Sequence, residues 1–266
     1  NHKYAGLVHE QLPEVPVGNI LREPCRRNTA PCIAYVSWRI KNTDVNANIV
    51  VTPSDHIVTD TEEFRRVIMQ GLNFTAETDA IVTLGMRPNR PETGYGYIQA
   101  DLRSPSARNK EIFRVDQFRE KPDLATAQKY IQQNNFYWNA GIFIWSATTI
   151  INAFRIYEPS LAKIFDGIRS KLGTQEEQSV IDQRYPECES ISVDYAIMEK
   201  AEEIFVFPSD FGWSDLGTWG SLLMQSHRDI YGNAIIGENI SLYDTKNCII
   251  HTTDNKKTVV QGLDGY

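Results

Sequence analysis

Two aspartates stand where a chain of this kind can hold a divalent cation. Asp55 stands in the run Val50-Val51-Thr52-Pro53-Ser54-Asp55-His56, just after an apolar, β-branched segment. An aspartate in that position sits at the carboxyl edge of a sheet, where doubly wound folds bind their ligands. Mg²⁺ takes hard oxygen donors there and shares its shell with phosphates. Asp215 lies in Phe211-Gly212-Trp213-Ser214-Asp215-Leu216-Gly217-Thr218-Trp219, one carboxylate bracketed by two glycines and two tryptophans. Taken singly, each aspartate is equally well read as a turn former or helix cap. Together, each ending a strand-like run, they point to a two-carboxylate metal site drawn from distant parts of the chain. His56 alone adds little, because a packed or hydrogen-bonded histidine is the commoner outcome.

Four further runs carry polar groups suited to a sugar, a phosphate or a nucleotide. Arg90-Pro91-Glu92-Thr93-Gly94-Tyr95-Gly96-Tyr97 is a Gly–aromatic–Gly loop whose backbone N–H groups can bond a sugar or phosphate, or an ordinary turn entering a strand. Phe118-Arg119-Glu120-Lys121-Pro122 offers a carboxylate for hydroxyl groups and a lysine for a phosphate, or a solvated charge run. Trp138-Asn139-Ala140-Gly141 places Asn139, with both a donor and an acceptor, before a buried strand; the alternative is a turn asparagine. In Glu23-Pro24-Cys25-Arg26-Arg27-Asn28-Thr29-Ala30-Pro31, Thr29 caps a helix whose positive end and two arginines suit an anionic or nucleotide ligand; an ordinary capped helix is the other reading.

The order of these runs is more specific than any one of them. P-S-D-H, then E-T-G-Y-G-Y-I, F-R-E-K-P, W-N-A-G-I-F and W-S-D-L-G-T-W resembles the sugar-phosphate nucleotidylyltransferase family over residues 19–223. The added E-P-x-x-R-N-T-A-P is similar to its mannose-1-phosphate guanylyltransferase branch. The resemblance implies transfer of GMP from GTP to mannose 1-phosphate with release of pyrophosphate and with Mg²⁺ as cofactor. It implies Asp55 and Asp215 as metal ligands, Gly94, Glu120 and Asn139 on the hexose, Lys121 on the sugar phosphate, and Asn28 and Thr29 near the nucleotide. With it goes the expectation of a cytoplasmic homo-oligomer, a dimer. The family opens with a strand and a Gly-rich G-G-x-G-x-R loop, and no such loop precedes residue 19 here. A further N-terminal segment of roughly 40–60 residues, one βα unit and the next strand at ordinary element lengths, is therefore expected in the intact protein.

The elements that must position these residues follow a βα alternation. The end of an amphipathic helix is expected at 2–12, a short strand at 19–21 and a helix from Thr29 through Trp38 with Pro31 in its first turn. Residues 47–52 read as a buried strand of a parallel sheet. Asp60 with Glu63 forms a capping-box pattern before a helix through Leu72. Strands are expected at 80–84, 95–101, 112–118, 141–145 and 204–207, and helices at 124–134, 148–172 and from near Thr218. Past Gly232, short β-like runs at 234–236, 240–243, 248–251 and 258–260 are separated by Gly, Asp and Asn. The fold class is α/β, a doubly wound Rossmann-like mixed sheet of the nucleotide-diphospho-sugar transferase type. A catalytic domain is expected over 1–231, with the start of a small C-terminal β domain at 232–266.

Composition narrows the partners. The 266 residues suit one large α/β domain with the start of a second, and a net charge of −7 without a basic cluster disfavours nucleic acid and anionic membranes. No apolar run approaches the ~20 residues that span a bilayer. Cys25, Cys32, Cys188 and Cys248 form no C-x-x-C pair, as in a reducing compartment. A related enzyme for another nucleotide or hexose, a non-catalytic subunit that binds nucleotide-sugar and a plain interaction module are the alternatives; the paired aspartates speak against the last.

Overall fold

Helix starts in this chain are set by side chains that take up the first free N–H groups. The computed structural model describes residues 2–253 and 255–266. A 3-10 turn at His2–Tyr4 leads into α1 (Ala5–Gln11), which buries no residue. The strand expected at 19–21 is instead the end of a 3-10 turn at Val17–Asn19, closed by Asn19 N–H to Pro16 O and Ile20 N–H to Val17 O. Helix α2 (Thr29–Thr43) is capped by Asn28, not Thr29: Asn28 Oδ1 accepts the Thr29 N–H at 2.9 Å. Asn28 has φ 64° and ψ −165°, a strained backbone conformation that side-chain-bearing residues rarely adopt. Asp60 caps α3 (Thr61–Ala76) as expected, accepting the Glu63 N–H at 3.0 Å. The reciprocal half of the capping box is absent, because the Asp60 N–H already bonds Phe211 O and Glu63 pairs with Arg66 at 2.7 Å.

The remaining helices are α4 (Leu124–Ile131), α5 (Ala147–Tyr157), α6 (Pro159–Ile168), α7 (Glu177–Arg184) and α8 (Trp219–Gln225). The continuous helix expected over 148–172 breaks between α5 and α6, because Pro159 disfavours helical backbone at Glu158, which has φ −134° and ψ 60°. The strands are β1 (Asn48–Val51), β2 (Ile57–Val58), β3 (Ile81–Met86), β4 (Tyr97–Pro105), β5 (Phe113–Arg119), β6 (Phe136–Ser146), β7 (Ile204–Ser209), β8 (Trp213–Ser214), β9 (Ala234–Ile236), β10 (Ile240–Tyr243), β11 (Ile249–His251) and β12 (Thr258–Gln261). No described helix is long and apolar enough to cross a membrane.

The backbone forms two compact units, residues 1–53 with 60–211 and residues 54–59 with 212–266. The first holds a mixed sheet in the order β1-β6-β3-β7-β5-β4. Its parallel pair is β3 with β7; the other pairings are antiparallel. β1 therefore corrects the expectation for residues 47–52, since it pairs antiparallel with β6 from Asn48↔Ser146 to Val51↔Phe143. An apolar run reports burial but not strand direction.

Alternation along β6 directs successive side chains to opposite faces. Phe143 and Trp145 join the core built from α2, α5 and α6 around Trp38, Phe154 and Phe165. Ile144 faces α3, where a Cβ on Gly71 would collide with it. Helices thus cover both faces of the sheet. Between Thr83↔Phe143 and Gly85↔Asn139 the ladder gains extra residues on β6, a bulge in which Gly141 has φ 67°. Bulges re-aim side chains, and this one sits directly beside Asn139.

In the second unit β2 pairs antiparallel with β8, and the short strands after Gly232 pair parallel, β9 with β11 and β10 with β12. Parallel pairing of strands one coil apart is the pattern of a β-helix.

Candidate functional site

In the first unit the ends of β4, β5 and the β6 bulge bring Gly96, Glu120 and Asn139 together. A Cβ on Gly96 would lie 2.5 Å from Glu120 Oε2 and 3.3 Å from Asn139 Cβ, and the Asn139 N–H donates to Gly96 O at 2.8 Å. The Glu120 side chain is 9% exposed, and Oε2 is buried without a hydrogen-bond partner. Its other oxygen pairs with Lys121 Nζ at 3.1 Å, which holds the Lys121 ammonium above the usual lysine range. Lys121 itself has φ 45°, so the chain turns sharply at the end of β5. The Glu120 N–H donates to Glu199 Oε1 at 3.2 Å.

Asn139 is fixed on both ends of its amide. Oδ1 accepts the Thr83 hydroxyl and the Gly141 N–H, each at 3.1 Å, and Nδ2 donates to Asp194 Oδ1 at 2.9 Å. Asp194 opens a wide π-helical turn, Asp194–Met198. Burial pushes its carboxyl up to about 6, and the nearby Glu120 charge adds to the rise.

Gly94 lies in the exposed loop before β4, with its N–H bonded to Glu92 Oε1 at 3.1 Å. Glu92 Oε2 accepts from Arg90 Nε at 3.2 Å, and the Arg90 guanidinium lies over the rings of Trp138, 5.1 Å from the centroid, and Tyr95, 5.9 Å away. The loop is thereby tied to the residue preceding Asn139.

Asn28 and Thr29 serve the fold visibly. Thr29 Oγ1 accepts the Val193 N–H at 2.9 Å, and the Ala30 N–H bonds Ile191 O. Arg27 donates to Pro186 O and Arg26 to the Tyr4 hydroxyl. The first free N–H groups of α2 are thus already paired, and Pro31 has none to offer.

In the second unit Ile57↔Ser214 and Val58↔Trp213 define the ribbon of β2 and β8. Continued by one and two residues, that register carries Asp55 and Asp215 to the same end of the ribbon. Asp55 is exposed and Asp215 half-buried. The Gly217 N–H donates to Asp215 Oδ1 at 3.0 Å, and Leu216 between them has φ 52°. His56 Nδ1 accepts the Trp213 indole N–H at 3.0 Å. Burial lowers the His56 imidazole below its usual range against the pull of both aspartates, so both carboxylates act on this one ring. Asp215 does not cap α8; Thr218 does, in a capping box with Ser221. Among the described residues no group of three or more His, Cys, Asp or Glu is arranged to hold a metal. Two hard carboxylates at one ribbon end fit the other mode, in which Mg²⁺ completes its shell with water and substrate phosphates.

A family model described as Nucleotidyl transferase matches residues 1–230. The chain belongs to the nucleotidyl transferase family. Among similar proteins, a mannose-1-phosphate guanylyltransferase of Salmonella montevideo is 37% identical over 265 residues, covering 98% of this chain and 55% of its own length. Alginate biosynthesis protein AlgA of Pseudomonas syringae pv. tomato is 34% identical over 276 residues, 99% of this chain and 54% of its own. This nucleotidyl transferase chain spans about half the length of the curated relatives it matches. A crystal structure described as mannose-1-phosphate geranyltransferase from Thermus thermophilus superposes with a TM-score of 0.78 at 28% identity, over 97% of this chain and 79% of that one. The Rossmann-like fold expected from the sequence is therefore the fold of the family.

Gly96 and Asp194 were not singled out by sequence. The Gly-Tyr-Gly loop offered two glycines, and only packing shows that the second is the one pressed against Glu120. Asp194 stands in Ser192-Val193-Asp194-Tyr195, a run with no glycine or strand end to flag it.

Proposed function

We propose that this chain is the catalytic part of a mannose-1-phosphate guanylyltransferase, which transfers GMP from GTP to α-D-mannose 1-phosphate and releases pyrophosphate. In this reading residues 1–231 form the catalytic domain and 232–266 open a C-terminal β domain. The observation that carries it is the Glu120–Gly96–Asn139 cluster. A carboxylate oxygen withdrawn from water without a donor costs about 1–3 kcal/mol or more, and a ligand hydroxyl removes that cost. A hexose supplies such hydroxyls. The names of the similar proteins, mannose-1-phosphate guanylyltransferase among them, support mannose as that hexose.

A phosphate oxygen of mannose 1-phosphate attacks the α-phosphorus of GTP in line, and the bond to the pyrophosphate leaving group breaks. The nucleophile is largely dianionic at pH 7, because the second pKa of a phosphate monoester lies near ~6. No protein base has to remove a proton from it. Glu120 and Asn139 orient the ring, with Gly94 leaving room for it and Gly96 leaving room for the Glu120 carboxylate. Lys121, on its sharply turned backbone and 58% exposed, directs its ammonium at the attacking phosphate. Asp55 and Asp215 are the residues that would hold Mg²⁺, which would supply charge neutralisation between the two anionic substrates. Asn28 and Thr29, at the start of α2, are assigned to the nucleotide side.

A cytoplasmic homodimer belongs to the same reading. The four free cysteines support a reducing compartment, and the dimer rests on the family resemblance alone. The test of the function is product identification. GTP and mannose 1-phosphate with Mg²⁺ should yield GDP-mannose in stoichiometric amount with pyrophosphate. Formation of neither product would refute the assignment.

A further inference from the structure

The proposed reaction leaves one ionisable group in the hexose pocket without a task. Asp194 is neither a metal ligand nor a phosphate partner, yet it is half-buried and bonded to Asn139 Nδ2 at 2.9 Å. The two lone pairs of Asn139 Oδ1 are filled by the buried Thr83 hydroxyl and the Gly141 N–H. The amide therefore has one orientation, with one Nδ2 hydrogen on Asp194 and the second left for a ligand. The charged and titratable groups around Asp194 are Glu120 and Lys121 at the end of β5 and Tyr195 on its own turn, with Glu199 bonded to the Glu120 N–H. The Glu120 carboxylate lies in the same partly dehydrated place and disfavours the charge on Asp194.

We propose that Asp194 is a positioning residue of the hexose site, holding the Asn139 amide and sharing its pocket with Glu120, so that hexose affinity depends on the ionisation of Asp194. The inference rests on the reading of this pocket as the hexose site. As a carboxylate, Asp194 accepts the Asn139 N–H and fixes the second hydrogen toward the sugar. As a neutral acid it is a poorer acceptor and brings an O–H of its own, so the amide loses its anchor. Burial and the Glu120 charge place the change at about 6, against the Asn139 amide and the Lys121 ammonium, which favour the charged form. Hexose binding therefore weakens as the pH falls from 7 to 5.

GDP-mannose is the suitable probe, because its diphosphate, unlike the monoester of mannose 1-phosphate, has no ionisation near ~6. Its Kd is measured by titration calorimetry from pH 5 to 8 on the full protein and on Asp194→Asn, with GDP as the control. The wild-type Kd for GDP-mannose should rise about tenfold between pH 7 and 5, one proton being taken up below the midpoint. In Asp194→Asn the profile should be flat, and the Kd for GDP should be unchanged by the substitution at every pH. Glu120→Gln, which removes the opposing charge, should move the midpoint of the slope down. A flat wild-type profile, a slope that persists in Asp194→Asn, or an unmoved midpoint in Glu120→Gln overturns the proposal. If wild-type protein binds GDP-mannose no more tightly than GDP at any pH, the hexose reading itself fails, and the role of Asp194 with it.

Discussion

Gly96 and Glu120 are so close that a methyl group at position 96 would lie 2.5 Å from Glu120 Oε2. The glycine is required by space rather than by backbone conformation. Gly96→Ala should push the carboxylate aside, at a cost of about 1–3 kcal/mol in stability, and should raise the KM for mannose 1-phosphate. Gly94 is the matched control, because the nearest atom to a Cβ there is Glu92 Oε1 at 3.4 Å. Gly94→Ala should leave thermal stability near wild type. Equal melting temperatures for the two variants would remove the special status of Gly96.

Glu120→Gln keeps the shape of the side chain and replaces a charged acceptor by a neutral one. Loss of one hydroxyl–carboxylate bond costs roughly 1–3 kcal/mol, so the KM for mannose 1-phosphate should rise about 5- to 150-fold. The KM for GTP should stay within about twofold. Steady-state kinetics with each substrate varied in turn makes the distinction, and parallel weakening of both would place Glu120 outside the sugar site.

The Asp194 carboxyl also makes a stability difference with a definite sign. Its folded pKa of about 6 lies above the ordinary carboxylate value of 3.8. The folded state therefore binds the proton more tightly. Its contribution is fully present below the unfolded pKa and is lost as the pH rises through 6. At pH 8 the charged group costs the fold up to about 3 kcal/mol. Asp194→Asn keeps an acceptor for Asn139 and removes the charge, so it should be more stable than wild type at pH 8. The gap should close below pH 4. Denaturant unfolding at the two pH values checks it.

Asp215→Asn retains an oxygen for the Gly217 N–H, bonded at 3.0 Å, and should fold normally. Loss of one carboxylate from a two-carboxylate metal site should lower Mg²⁺-dependent turnover by about 10²-fold or more. Raising the Mg²⁺ concentration should recover part of the loss. Wild-type turnover in the variant would exclude Asp215 as a ligand.

The fold was legible because its main signals are local. Asp60 capped α3 and Thr218 began α8 where the sequence placed them, and the runs past Gly232 formed strands. Properties that depend on a distant partner were not legible. β1 showed its strand character in Ile49-Val50-Val51, of which Ile49 alone is buried, but its antiparallel direction depends on β6, which begins 88 residues after the start of β1. The two aspartates were visible as motifs, whereas their meeting at one end of the β2–β8 ribbon depends on the Ile57↔Ser214 register. Asp194 was invisible because its role follows from the Asn139 amide, the β6 bulge and the turn at Asp194–Met198 together.

Pyrophosphate release under four substrate conditions addresses the proposed activity most directly. With Mg²⁺ present, the intact protein is given GTP alone, mannose 1-phosphate alone, both together, and ATP in place of GTP with mannose 1-phosphate. Release should require GTP and mannose 1-phosphate together, should fall sharply with ATP, and should stop when Mg²⁺ is chelated. No release from the pair, release from GTP without the sugar phosphate, or equal release from ATP would contradict a mannose-1-phosphate guanylyltransferase.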